Sequence, residues 1–252
     1  MRFIQATLAR LAISEKANLG QTGPVTQIAT APRGLTDLGP IAQLRAGRLA
    51  RRLPQLFLGL VAYGVSLALM VRGDLGLAPW DVLHSGLIRH VPLTLGQAVV
   101  VMSFVVLLAW IPLREVPGLG TISNALVIGF SADATLALLE RPDGLVLRIG
   151  LTIGGVLLCG LATALYIGAQ LGRGPRDGLM TGLARRTGRS LRLVRTGLEL
   201  GVVVVGLLLG GTLGVGTVLY ALAIGPLTQL WLPTFTVELP VRNQEAIVLA
   251  SN

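Results

Sequence analysis

Charge is scarce in this sequence. Only 13% of its 252 residues are Asp, Glu, Lys or Arg, about half the share usual for a soluble domain, and a soluble globular protein is excluded on that ground. Cysteine is nearly absent as well. The single Cys159 forbids an internal disulfide and any Cys-x-x-Cys metal or redox motif. Two histidines, His84 and His90, lie six positions apart, do not share a helix face cleanly and have no cysteine near, so no metal site is expected. No P-loop, Gly-x-Ser-x-Gly or His-Glu-x-x-His is present, and no convergent nucleophile and base suggests an enzyme. No cofactor motif is found either. Lysine occurs once against twenty arginines, a bias that fits a GC-rich genome and says little about function.

What is present is apolar sequence in long runs. Mean hydropathy is +0.73, and several runs reach the roughly 20 residues that a bilayer-spanning helix needs. The net charge of +9 does not indicate nucleic acid. It sits in a tail and in one loop between apolar runs, the pattern of cytoplasmic flanks on membrane segments.

One stretch occurs twice. Leu75 to Arg89 reads LGLAPWDVLHSGLIR and Leu171 to Arg185 reads LGRGPRDGLMTGLAR, with eight of fifteen positions identical at an offset of 96. At the same offset, residues 118–129 match 214–225 at seven of twelve positions. A period this long is not a solenoid unit but a duplicated half-protein.

The spacing predicts an all-α polytopic membrane protein with two homologous repeats. Residues 1–50 read as a cytoplasmic, mostly disordered tail. Positions 1–13 could form a weak amphipathic helix and lack the apolar core and cleavage site of a secretory signal; 18–40 form a Gly/Thr/Pro-rich linker. The first repeat, 51–140, has spans at 53–71, 93–113 and 119–139 and a short helix at 79–90. The second, 147–233, has spans at 147–167, 191–209 and 215–232 and a short helix at 175–186. Residues 234–252 read as a flexible tail. Twelve residues of helix rise only about 18 Å, short of the roughly 30 Å hydrocarbon core, so the short helices are expected to be re-entrant or interfacial. Pro at the first position and Asp at the third suit a helix start.

Six crossings would make the repeats inverted; eight, with the short helices crossing, would make them parallel. Both place the N-terminus in the cytoplasm and thirteen of the basic residues near the spans on that side, as the positive-inside rule asks. The outer four are Arg72, Arg89, Arg141 and Arg148 for six crossings, and Arg72, Arg114, Arg173 and Arg176 for eight. Helix length favours six. Inverted-repeat transporters place broken helices and glycine-rich interruptions at the substrate site.

The stretches LGLAPWDVLHSGL, GLGTISNALVIGFSAD and IGPLTQ resemble the YczE/YitT-like family of bacterial membrane proteins over about residues 50–233. The resemblance implies a multi-pass protein of the cytoplasmic membrane and no particular substrate. In the second repeat Arg176 replaces Trp80 and Met180 replaces His84, so the two short helices are not expected to do identical jobs.

The candidate pathway residues are polar groups inside the apolar runs. Asp81 and Asp177 recur in register, as helix caps or as a paired carboxylate site. Asp133 lies mid-span with Asn124 nine residues before it, where a charge costs on the order of 3 kcal/mol. It makes either an interhelical hydrogen bond or a substrate contact. Its repeat mate Gln229 suggests an inward polar group in both halves. His84 is a hydrogen-bonded packing residue or a proton carrier. Glu199 pairs with Arg195 at i,i+4 spacing. Arg173, Arg176, Arg185, Arg186, Arg189, Arg192 and Arg195 are expected to set orientation and meet anionic lipid head groups. The expected function is a secondary-transporter-like permease for an unknown small molecule or ion, its site formed by the two Pro-x-Asp helices with Asp133, Asn124 and Gln229. A non-transporting scaffold that binds a protein through the basic loop is the alternative, and a lipid-modifying enzyme a third. A homo-oligomer is left open.

Overall fold

The computed structural model describes residues 38–239. The expectations for 1–37 and 240–252 lie outside the described residues. Nine helices and no strand occur among them: α1 Pro40–Arg45, α2 Leu49–Gly73, α3 Pro79–Leu87, α4 Leu95–Leu113, α5 Leu119–Leu138, α6 Leu145–Gly168, α7 Pro175–Thr187, α8 Leu191–Leu208 and α9 Val215–Phe235.

All eight expected helices form. Helices α2, α4, α5, α6 and α9 are long and apolar enough to cross a membrane. The sixth expected crossing, α8, falls short of that measure because Arg192, Arg195 and Glu199 lie in its first half. Large apolar side chains face outward along the bundle, among them Leu58, Ile111, Phe130, Leu138, Leu208 and Leu222, each at least 66% exposed. A water-soluble monomer rarely tolerates this much exposed apolar surface; a lipid-facing wall requires it. The protein is a membrane protein.

The core is the pair α2 and α6, which run antiparallel. Partway along α2, Gly59 lies against Ala162, Leu165 and Tyr166 of α6; at its end, Gly73 lies against Arg148 and Thr152. Small residues bring the two backbones together, as membrane helices require. Each helix is capped by an arginine from the other. Arg52 donates to the carbonyls of Ala169 and Gln170 beyond the end of α6, at 2.8 and 2.6 Å. Arg148 donates to the carbonyls of Gly73 and Asp74 at the end of α2, at 3.0 and 2.6 Å. Cations at helix C-termini offset both the dipole and the orphan carbonyls.

Other contacts recur at the same offset of 96. The Gly120 N–H donates to the Leu171 carbonyl and the Gly216 N–H to the Leu75 carbonyl, both at 2.7 Å. Gly76 and Gly172 sit at φ +118° and +129°, backbone that a side chain disfavours. They turn the chain out of α2 and α6 into the short helices. The short helices then cross over: α3 packs on α8 of the other half, and α7 packs on α4 of the first.

The match is broken between the third and fourth helices. Gly96 and Gly129 bring α4 and α5 into backbone contact; a Cβ on Gly129 would lie 2.4 Å from the Gly96 carbonyl. Their counterparts are Arg192 and Gly225, a Cβ on Gly225 would meet nothing within 4 Å, and α8 and α9 do not pack in this way.

Two expected tails are partly folded onto the bundle. Gln43 and Gly47 accept from Arg52 at 2.6 and 3.1 Å. At the other terminus, the Val237 N–H donates to the Gly168 carbonyl at 3.0 Å, and Val237 is fully buried. The apolar side chain of Val237 and the open carbonyls at the end of α6 explain why this segment docks.

Candidate functional site

The two short helices enter the bundle from opposite ends and meet at their N-termini. The meeting is visible in one contact: the Arg176 guanidinium carbon lies 5.4 Å from the Trp80 ring centroid. These residues are repeat mates. The substitution that makes the halves unlike is thus a cation stacked on an aromatic face. Trp80 also packs with Val106 and Trp110 of α4. The Trp110 indole N–H donates to the Pro175 carbonyl at 3.0 Å, and its ring fills the space a side chain at Gly178 would need. The Trp80 indole nitrogen is buried with no acceptor.

Neither first-turn carboxylate caps its own helix through its side chain. Asp81 is 3% exposed, and its Oδ1 lies 3.0 Å from Nδ1 of His84, which is 1% exposed. Asp177 accepts a hydrogen bond from the Tyr166 hydroxyl. The Asn124 amide faces the same place. A Cβ on Gly174 would come within 3.1 Å of its nitrogen and 3.0 Å of Asp177 Oδ2. Tyr63, Asn124, Tyr166, Gly174, Arg176 and Asp177 line a cavity of about 40 Å³, room for little more than one water.

Tyrosine was not among the expected site residues. All three in the chain, Tyr63, Tyr166 and Tyr220, converge here. Tyr63 and Tyr166 make an edge-to-face pair with centroids 6.4 Å apart. The Tyr220 hydroxyl lies 3.8 Å from the Cys159 sulfur. One signal could have exposed Tyr220: it is the repeat mate of Asn124.

The structure therefore brings together Asp81, His84, Asn124 and Asp177 and leaves out Asp133 and Gln229. Asp133 is an interhelical cap. It accepts the Gly96 N–H at 2.8 Å and the Thr94 hydroxyl, holding the N-terminus of α4 to α5. Gln229 is exposed on α9. The inward placement inferred from its mate fails because α8 does not cover α9 as α4 covers α5. Glu199 pairs with Arg195 at 2.9 Å. Among the basic residues expected at head groups, Arg185 is bound to Glu115 at 2.8 Å and Arg186 to the Pro112 carbonyl at 2.7 Å. Arg176 is drawn into the centre instead, where its charge faces two carboxylates and the indole.

Chemically, the centre holds one guanidinium, two carboxylates, an imidazole and the ends of two helix dipoles, with Asp81 and His84 buried and Arg176 and Asp177 partly so. Such groups bind and balance charge, and burial makes each interaction stronger than in water.

Comparisons agree with the membrane assignment. Residues 50–233 match a family of unknown function, DUF6198. The chain is similar to an uncharacterised protein of Haemophilus influenzae, 40% identical over 70% of this chain and 81% of that one. It is similar to the uncharacterised membrane protein YczE of Bacillus subtilis, 34% identical over 70% and 83%. A second B. subtilis protein, the uncharacterised YyaS, is 26% identical over 70% and 90%. No solved structure matches.

Proposed function

We propose a permease that works by alternating access for this chain, which belongs to the DUF6198 family. On this reading it sits in the bacterial cytoplasmic membrane with its N-terminus in the cytoplasm. The antiparallel α2 and α6 make the halves inverted repeats, with α8 as the sixth crossing and α3 and α7 as re-entrant helices. One observation carries the proposal: two half-length helices, one from each repeat, point their N-termini at a shared centre of Arg176, Asp81 and Asp177. Broken helices meeting at a polar midpoint are the architecture of secondary transporters, and ionisable groups kept inside a membrane mark pathways.

The two ends of the bundle support the same reading. Where α2 ends, a cavity of about 640 Å³ opens. Near the opposite end, Phe235 and Val237 cover Gly168, the repeat mate of the cavity-lining Arg72. Smaller cavities of about 310 and 330 Å³ open at that opposite end, and on this reading the packed centre is the barrier between the two sides. The Trp80 indole N–H without an acceptor fits it: an unmet buried donor costs about 1–3 kcal/mol and is satisfied when cargo or a rearranged partner arrives. On this reading the site residues bind and neutralise, and no bond of the carried molecule is made or broken.

The test is electrogenic or pH-reported flux in proteoliposomes across a panel of amino acids, carboxylates, phosphate and monovalent cations. Arg176→Gln and Asp81→Asn should abolish the wild-type signal. Flux unchanged in both folded variants would refute the central site.

A further inference from the structure

We propose that the open cavity at the end of α2 is an oxyanion-binding vestibule whose ligands are the guanidinium groups of Arg72 and Arg89. Its volume, about 640 Å³, is in the range of small-molecule sites. Four formal charges line it: Arg72, Arg89, Asp74 and Asp133. The carboxylates are already engaged. Asp74 is held by Arg141 at 2.7 Å and Arg148 at 3.0 Å. Asp133 is spent on the N-terminus of α4. Neither Arg72 nor Arg89 makes an ion pair among the described residues. Arg141 and Arg148 at its edge are both held by Asp74, and Glu140 and Asp143 flank Arg141 in the same loop, so it is Arg72 and Arg89, not the net charge of the mouth, that favour an anion.

Arg72 supplies the independent observation. One of its terminal nitrogens donates to the Leu136 carbonyl, which fixes the side chain across the α2–α5 groove. Its Nε is buried and has no acceptor. A guanidinium presents parallel N–H donors that match carboxylate or phosphate oxygens. Arg89, just past the end of α3, lies beside Gly210. Ser85, Thr94 and Thr212 also line it, but the Ser85 and Thr94 hydroxyls are already donated to the Val82 carbonyl and to Asp133. Two guanidiniums without carboxylate partners favour an anion bearing carboxylate or phosphate. Ser85 stands one residue beyond His84, so the vestibule adjoins the Asp81–His84 pair. As the entry site of a permease, this assignment rests on the function proposed above; as a binding site, it does not.

Binding and flux separate the two. Purified full-length protein is titrated with succinate, citrate and inorganic phosphate at constant ionic strength, read by calorimetry and by shift of the melting temperature. Tetramethylammonium chloride serves as the cation control. A second arm reconstitutes it in nanodiscs of phosphatidylcholine with or without phosphatidylglycerol and measures retained lipid by native mass spectrometry. The expected result is saturable binding of at least one of the three anions or of phosphatidylglycerol. It should weaken about tenfold or more in Arg72→Gln and in Arg89→Gln, roughly the loss of one charge-assisted contact. Arg72→Lys should recover part of it. Arg186→Gln, at the far end of the bundle, should leave it unchanged. Selective retention of the phospholipid would identify a head-group phosphate as the oxyanion; selective binding of soluble anions would identify a solute. No saturable binding in either arm, or binding indifferent to both arginine substitutions, would overturn the vestibule. Binding without flux would overturn the permease and leave the vestibule standing.

Discussion

Replacing Arg52 with Met should destabilise the protein far more than any neighbouring charge removal. Arg52 is fully buried although it is an arginine in the first turn of a membrane helix. Its guanidinium donates to four carbonyls: Ala169, Gln170, Gln43 and Gly47. It therefore ties α1 and the start of α2 to the end of α6. Methionine keeps the apolar stem and leaves four acceptors unmet. Interhelical hydrogen bonds in membrane proteins average about 0.6 kcal/mol, and hydrogen bonds to charged groups reach about 1.5 or more. Four of them give a loss of about 2–6 kcal/mol, near the 3–5 kcal/mol seen when one member of a buried charged contact is removed. At about 2–4 °C per kcal/mol for a chain of this size, the melting temperature should fall by roughly 5–20 °C. The assay is thermal unfolding of purified protein, with Arg51→Met as reference because Arg51 is exposed. Arg52→Lys should rescue little, since one ammonium cannot reach four carbonyls on separate segments. An Arg52→Met shift no larger than that of Arg51→Met would refute this account of the α2–α6 clamp.

Gly76→Ala should be worse than Gly172→Ala. Both force a side chain into disfavoured backbone, but a new Cβ would lie 2.7 Å from the Gly214 nitrogen in the first and 3.1 Å from the Thr121 hydroxyl in the second; urea or SDS titration should separate them by at least about 1 kcal/mol. Asp133→Asn should retain flux and lose little stability, whereas Asp133→Ala should cost about 1 kcal/mol by uncapping α4; flux abolished in a stably folded Asp133→Asn would return that residue to the pathway. Gln229→Leu should leave folding and flux within error of wild type, as expected of a side chain exposed on α9. Tyr166→Phe should lower flux while leaving the melting temperature within a few degrees, because it removes the hydroxyl on Asp177 and keeps the ring against Tyr63.

The helices were legible because apolar run length, Pro-x-Asp starts and glycine breaks are local signals, and each corresponds to an element here. Gly76 and Gly172 could be read as exits from helix because a glycine shortly before a proline has few other uses. The partners of those elements were not local. Arg176 read as a surface arginine in a basic loop; only the fold shows that α7 turns its first residues inward onto Trp80. The tyrosines were passed over because an aromatic inside an apolar run usually reads as packing. Asp133 carried the clearest intramembrane charge and proved to hold two helices together, since a carboxylate beside a helix N-terminus is satisfied without any ligand. Gln229 was misplaced by carrying symmetry too far: Arg192, standing where its counterpart is Gly96, denies α8 the close approach to α9.

The exchange of short helices between the halves bears on ancestry. A lone copy would leave α4 with a bare flank and α3 without shelter. On the inverted-repeat reading proposed above, a sibling inserted upside down would complete it. The progenitor on that reading was a small protein indifferent to orientation, doubled by gene fusion, whose two copies could drift apart once each was bound permanently to its opposite.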